Sequence, residues 1–361
     1  MAWKFILRDL AGVALGELTN ATDRELQIPL NGLPTCSFKI QNEEPLVERL
    51  LEGEVLLSVY EGTTLRYHGD LITSEEVVDQ NGGSIVVTTA GLLWRLTKRL
   101  LGTTSVGWGL GDPFNQYARD EIIRVALAGV NATSNTGVHW GTQVYTSLSY
   151  VYDPPWRFKK LSEAITELSA AMDGFDFEID PVEPTSTSSG LRLGLLNIAP
   201  TIGFDRPNVA FEYGDGKQNV TSWKRSVDRS GLLNVGYHVP PTDSVEPVVT
   251  ASDAASIAAR GRMEEVIEGS VIALPLRQRL VDENVRVRRY PRQIIGFTPA
   301  LSTYAYGTDF EVGDTVRVRA KVNGEPRVDA AVRVYGVTWK DSPRGELALA
   351  EVNTVNEDLF G

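Results

Sequence analysis

Two stretches near opposite ends of this chain carry the same short pattern. The first runs Gly53-Glu54-Val55 with Leu57 and Val59 alternating, then Tyr67-His68-Gly69 and Leu71-Ile72. The second runs Gly313-Asp314-Thr315-Val316 with Val318, then, after a polar hairpin, Val334-Tyr335-Gly336-Val337. Each reads as a Gly-acid turn opening a strand of period-two hydrophobicity, followed by a return strand whose glycine suits a bulge or a close backbone approach. A duplicated β unit constrains assembly as well as fold, because a ring with two similar barrels per subunit can match a partner ring of twice the subunit number.

A chain of 361 residues exceeds what one core usually supports, so two or three domains are expected. The net charge of -12 argues against a nucleic-acid reader, which gathers Lys and Arg on one face. An acidic surface instead lets a nucleic acid pass without sticking. The opening Met1-Ala2-Trp3-Lys4-Phe5-Ile6-Leu7-Arg8-Asp9 sets charges within its first apolar run and does not read as a secretory signal. No window approaches the length of a membrane span, so a protein made and held in solution in a cytosol is expected, with no membrane insertion. Cys36 is the only cysteine, and its alternation with Phe38 and Ile40 marks it as a buried strand residue.

The periodicity divides the chain in three. Residues 1–102 read as a small β-barrel or sandwich of six strands: Trp3 to Leu7, Leu26 to Leu30, Cys36 to Ile40, Val55 to Tyr60, Leu65 to Ile72 and Ile85 to Thr89. Asn31-Gly32, Glu61-Gly62 and Asn81-Gly82-Gly83 supply hairpin turns, and Gly91 to Leu96 predicts a short helix plugging one barrel end. Residues 103–204 read as an α+β unit, with a helix from the Asp112-Pro113 cap to Gly129 and another from about Phe158 through Met172 to Gly174. Strands at Phe175 to Ile179 and Leu191 to Leu195 follow, joined by a polar loop from Pro184 to Gly190.

Residues 205–361 read as a second barrel with a helical insertion at about 251–290. Strands fall at Val209 to Tyr213, Val220 to Val227 and Leu232 to Val239. A helix capped by Ser252-Asp253 runs to Gly269, and a second carries Arg277, Arg279, Arg286, Arg288 and Arg289 up to Tyr290-Pro291. Ile294 to Phe297 and the repeat copy complete the barrel. The fold class is therefore mainly β with an α+β insert, two similar small barrels flanking an α+β domain.

Little in the chain points to catalysis. His68, His139 and His238 are scattered without metal-ligand spacing, so no metal, cofactor or catalytic residue is assigned, and each reads as a surface or strand-face histidine. No Gly-x-Ser-x-Gly elbow is present. Gly214-Asp215-Gly216-Lys217 lacks Walker spacing and reads as a hairpin turn, and Gly107-Trp108-Gly109-Leu110-Gly111 as a connector. Asp173 and Asp176 form one acid pair. Strand alternation puts Asp176, Glu178 and Asp180 on one face, where a solvated sheet surface is expected rather than a glycosidase pair. The Arg run suggests pairing with acids of other subunits. Asn20, Asn131 and Asn219 fit the glycosylation pattern only formally.

Leu18-Thr19-Asn20-Ala21-Thr22-Asp23-Arg24, with Leu30-Asn31-Gly32 and Ser37-Phe38-Lys39-Ile40, resembles the opening of minor tail proteins of actinobacterial siphophages. Val59-Tyr60-Glu61-Gly62, Phe211-Glu212-Tyr213-Gly214 with Asn219-Val220, Tyr290-Pro291-Arg292, Phe297-Thr298-Pro299 and Val312 to Val316 continue the resemblance over nearly the whole chain. It implies a baseplate or tail-tip hub: a structural virion protein forming a homotrimer with two barrels per subunit. The resulting pseudo-sixfold ring would meet the hexameric distal tail protein or tail tube, with the tape measure protein and tip or receptor-binding proteins as further partners and DNA only in passage. Many related hubs continue into a lysin or fibre domain, and the end at Glu357 to Gly361 implies that such activities are lacking. The alternative is a tail-associated cell-wall hydrolase or polysaccharide-binding module, with acids from Asp176 to Asp180 at its site, or a sugar platform of Trp108, Trp140, Tyr145 and Trp156.

Overall fold

The computed structural model describes residues 3–42, 44–79, 82–101, 119–143, 159–170, 174–188, 190–214, 218–240, 247–267, 274–300, 304–342 and 347–355. The chain opens with strands β1 (Trp3–Asp9), β2 (Ala14–Glu17), β3 (Thr22–Pro29) and β4 (Thr35–Gln41), then helix α1 (Val47–Glu52). The meander β5 (Val55–Glu61), β6 (Thr64–Asp79) and β7 (Gly82–Gly91) leads into α2 (Leu93–Thr97). A middle section holds α3 (Arg119–Thr133), β8 (Val138–Gln143), α4 (Leu161–Ala170), β9 (Asp176–Thr187) and β10 (Gly190–Ala199). The last section comprises β11 (Asp205–Tyr213), β12 (Val220–Asp228), β13 (Val235–His238), β14 (Val249–Ser252), α5 (Ala254–Arg260), β15 (Glu264–Val266), α6 (Leu274–Arg288), β16 (Arg292–Pro299), β17 (Thr315–Val322), β18 (Glu325–Asp341) and β19 (Leu347–Val355).

The duplicated motif opens a duplicated sheet. Hydrogen bonding orders the first set β1-β5-β6-β7-β4-β3 and the second β11-β17-β18-β19-β16-β12. Taken in chain order, the strands of the two sets correspond one to one. Directions correspond too, except that β1 runs antiparallel to β5 while β11 runs parallel to β17. In both meanders the middle strand is long and changes partner halfway: β6 pairs first with β5 and then β7, and β18 first with β17 and then β19. Gly69 sits at one such changeover, where an added Cβ would lie 2.1 Å from the Tyr67 hydroxyl folded back over it. That close approach is what the glycine permits.

The mainly-β fold with an α+β insert is thus present, although strand pairing closes neither set into a barrel among the described residues. Instead β3 and β18 pair antiparallel and weld the two sets into one 13-stranded sheet. Each set still curls. In the first, β2 pairs on the far side of β1, yet Glu17 and Thr22, which bound the link from β2 to β3, are only a short tether apart. Such a link reaches at most about 18 Å, so the sheet must bend back on itself. In the second, Asn219 draws β11 towards β12, its side chain accepting from Glu212 N at 2.6 Å and donating to Ala210 O at 2.8 Å. One hydrophobic core fills both curls, running from Phe5, Phe38 and Val59 to Phe211, Phe297 and Val316. Trp3, Trp339 and Tyr306 bridge them, ring centroids 5.7 and 4.9 Å apart in turn.

Two smaller units have cores of their own. In the middle unit the sheet order is β8-β10-β9, and α3 and α4 bury Leu127 and Ile165 against Phe177 and Leu196. The third unit, inserted between β12 and β16, is the sheet β14-β13-β15 with α6 packed on it through Val281 and Val285.

Several sequence expectations are corrected. The helix at 91–96 does not plug a barrel: Leu92, Leu93 and Leu96 are buried in the middle unit's core, against the apolar faces of α3 and α4. The helix expected to stop at Gly129 continues to Thr133, and its Asp112-Pro113 cap lies outside the described residues. The polar segment Pro184 to Gly190 extends the β9–β10 hairpin, because Ser186, Thr187 and Leu191 keep their ladder partners. Asp253 does cap α5, accepting from Ser256 N, but the helix ends at Gly261 rather than Gly269, and Glu264 to Val266 turns into a strand beside β13. The strand expected from Leu232 is confined to Val235–His238. Strands β2, β8, β14 and β19 and helix α1 were not foreseen.

Candidate functional site

The middle unit and the two sheet sets meet at a polar junction buried beneath a cleft. Asp176, at the start of β9, accepts from Asn31 Nδ2 at 2.7 Å and Ile202 N at 2.8 Å, and pairs with Arg333 of β18. Asn31 stands in the β3–β4 turn with φ of 53° and also accepts from Phe177 N at 2.7 Å. Arg333 donates onward to Gly313 O at 3.0 Å and Ile202 O at 2.8 Å. Asp314 accepts from Phe204 N at 2.6 Å, Arg206 Nε at 2.9 Å and Glu311 N at 2.9 Å. Each buried carboxylate therefore gathers three donors, which removes the cost of burying it. Gly203 and Gly313, both at φ of 94°, let the strand entries touch: a Cβ on Gly203 would lie 2.2 Å from the Gly313 carbonyl carbon.

A second polar seam ties β9 to the first sheet. His68 Nε2 donates to Val182 O at 2.9 Å, which leaves Nδ1 to accept from the Ser58 hydroxyl at 2.9 Å. Arg8 Nε donates to Ser58 Oγ at 2.9 Å. Burial pushes the imidazole down to about 4, so it is neutral. This Ser-His pair is fully enclosed and its distal nitrogen meets a carbonyl rather than a carboxylate, so it works as a strut. A third tie is the Arg95 fork on Asp70, 2.8 Å at both nitrogens, with Arg95 also donating to Thr136 O at 3.0 Å.

Above the junction lies a cleft of about 650 Å3 lined from the middle unit and both sheet sets by Arg66, His68, Glu178, Asp180, Tyr306 and Glu311. The sequence expectation of a solvated face holds for Asp180, which is exposed, and is corrected for Asp176 and Glu178. Glu178 is pushed up to about 7, first by burial and then by the charges of Asp180 and Glu311, with the Asn197 amide opposing. Asp180 opens to solvent and moves the same way, burial of its carboxyl in the cleft outweighing the Asn197 amide, which donates to it at 2.6 Å. Burial and Glu311 also raise the Tyr306 phenol, over whose ring the Arg66 guanidinium lies at 5.2 Å. Asp176, although on the same strand face, is committed to the junction below.

The remaining singled-out residues are spread over the molecule. His238 is buried in the inserted unit and His139 lies in a groove beside Trp140, Arg124 and Asn131. Trp108, Tyr145, Trp156 and Asp173 lie outside the described residues, as do Gly107 to Gly111 and Asp215 to Lys217. The Arg run finds acids of its own chain: Arg286 pairs with Glu283, Arg288 with Glu265 at 2.5 Å and Arg289 with Asp253 at 3.1 Å, while Arg277 is fully buried. Cys36 is enclosed and burial raises its thiol. Sequence reasoning missed Asn31, Arg206, Glu311 and Arg333 as junction and cleft residues. Their one signal was the Gly-acid turn: Asp314 uses it to collect amides, whereas its counterpart Glu54 is exposed. Among the described residues, no three His, Cys, Asp or Glu side chains gather to hold a metal, and no helix is long and apolar enough to cross a membrane.

No protein-family model matches this sequence, and no curated protein matches it. Solved structures do share its fold. A tail protein from Neisseria meningitidis superposes with a TM-score of 0.62 at 10% identity, over 99% of this chain and 97% of that one. The 43 kDa tail protein of prophage MuSo2 from Shewanella oneidensis gives 0.62 at 12% identity, over 99% of both. A prophage tail protein from Listeria monocytogenes gives 0.56 at 13% identity, over 98% and 94%.

Proposed function

We propose that this chain is a structural protein of a phage tail, the hub of a tail tip or baseplate. Three copies would form a ring whose six curled sheets meet the hexameric tail tube or distal tail protein, while the threefold face receives tip components and the tape measure protein lies within. The observation that carries this reading is the strand order written twice and joined edge to edge at β3 and β18, so that one chain presents two equivalent faces in a row. Likeness of fold to three tail proteins over nearly the whole chain supports it. An excess of acid at the channel wall would let DNA pass without release of counterions holding it.

Native mass spectrometry of the purified full chain tests the reading. The expected species has three times the chain mass, and a monomer at every concentration tried would overturn it. One observation favours a second reading, the cell-wall hydrolase or polysaccharide-binding module: Glu178, held near 7, stands beside another carboxyl in a cleft, as sugar cleavage requires. Both acids project from one strand and line one wall, an arrangement that does not flank a sugar. Incubation with host peptidoglycan is expected to release nothing. Sustained release that Glu178→Gln abolishes would replace the structural reading.

A further inference from the structure

Each sheet set has one position where the other set's partner is missing. In the second set the distal half of β18, beyond its pairing with β17, is flanked on its outer edge by β3, with Gly336 to Lys340 against Glu25 to Pro29. The corresponding strand of the first set is β6. Beyond Asp70, its last residue paired with β5, the segment Leu71 to Asp79 pairs among the described residues with β7 on one side only. The counterpart of β3 in the second set is β12, which pairs with β16 and offers an open edge beyond Val220. Among the described residues there is therefore one complete seam, β3 on β18, and two halves of a second that pair with nothing there.

We infer that the free edge of β6 receives β12 of a second copy of this chain, antiparallel, repeating between subunits the seam that β3 and β18 make within one. This rests on the ring reading above and names the contact that would close it. The lengths agree, since β12 and the open part of β6 run to the same number of residues, Val220–Asp228 against Leu71–Asp79. The faces agree in one register. Trp223 and Arg225 lie opposite core residues Phe297 and Ile295, so they share the core face of the sheet. On β6 the core face carries Ser74, Glu76 and Val78, since Ser74 and Glu76 lie opposite Val87 and Ile85. Setting Arg225 opposite Glu76 places Trp223 opposite Val78 and Val227 opposite Ser74, with Lys224 diagonal to Glu75 on the outer face.

Charge and exposure support this pairing. The β6 edge brings Glu75 and Glu76, the latter accepting from Asn42 Nδ2 at 2.7 Å, and the β12 edge brings Arg225 and Lys224, which also pairs with Glu351 of its own chain. Val78 is 71% exposed and Val227 48%, unusual for valines on sheet strands unless something covers them. An open edge of this length is also an aggregation hazard that a neighbouring copy removes.

The test is a charge swap in the full chain, with association followed by light scattering across a dilution series. Arg225→Glu and Glu76→Arg are each expected to weaken assembly by roughly tenfold or more, and the double variant to recover most of that loss. Either single variant assembling as well as the parent overturns the seam. In parallel, Val227→Cys and Ser74→Cys variants are mixed under oxidation. A disulfide-linked dimer is expected only in the mixture, because Cys36 is enclosed. A parent that assembles while this cross-link never forms refutes the seam and leaves the ring reading standing. A parent that stays monomeric removes both.

Discussion

Replacing Glu178 by Gln should stabilise the protein at pH 8 and do little at pH 4. The carboxyl titrates near 4.5 when unfolded and near 7 when folded. Folding therefore binds a proton between those values, and stability falls as pH rises through that window. At about 1.4 kcal/mol per pH unit the gap between about 4.5 and about 7 sets a ceiling of about 3.5 kcal/mol, and solvent reaching the cleft makes the realised gain smaller. Glutamine keeps the shape and the Asn197 contact while removing the charge that Asp180 and Glu311 oppose. Urea midpoints at pH 4, 6 and 8, for parent and variant, measure the effect. A variant no more stable than the parent at pH 8, or equally stabilised at all three, would refute the account. His68 acts in the opposite direction. Its folded value near 4 lies below the unfolded 6.5, so stability is lost as pH falls through that range. The two slopes oppose each other between about 4.5 and 6.5, so the parent should show a flat profile there, which Glu178→Gln converts into a rise with pH.

Two further outcomes concern the junction. Asp176→Asn removes the charge that Arg333 pairs with while leaving Arg333 its Gly313 and Ile202 carbonyls, and should cost about 1–3 kcal/mol, read as a fall in the denaturant midpoint. Gly203→Ala, which forces a Cβ to 2.2 Å from the backbone of Gly313 at positive φ, should cost at least about 1–3 kcal/mol, while Gly231→Ala, with open space around it, leaves the midpoint within about 0.5 kcal/mol.

Most strands of both sheet sets were legible because one buried face imposes period-two alternation, as in Cys36, Phe38 and Ile40 or Val316 and Val318. The turns were legible because Asn31, Gly62 and Gly82 do adopt positive φ. Errors cluster where a segment's role depends on what lies across from it. Pro184 to Gly190 looks like a loop by composition, yet ladder partners on β10 extend it as a strand. Leu93 and Leu96 fit any apolar cavity, and only packing assigned them to the middle unit.

Local pattern by itself determined the duplicated two-strand motif and the place of the α+β insert, since these depend on residues close in sequence. Tertiary structure alone decided that β3 joins β18, that Asp176 is buried against Arg333 while Glu178 faces a cleft, and that β6 and β12 are left with open edges. Those outcomes depend on groups more than a hundred residues apart, whose meeting sets the dielectric around a carboxylate and the partner of a strand edge, and neither quantity is written in the alternation of a single segment.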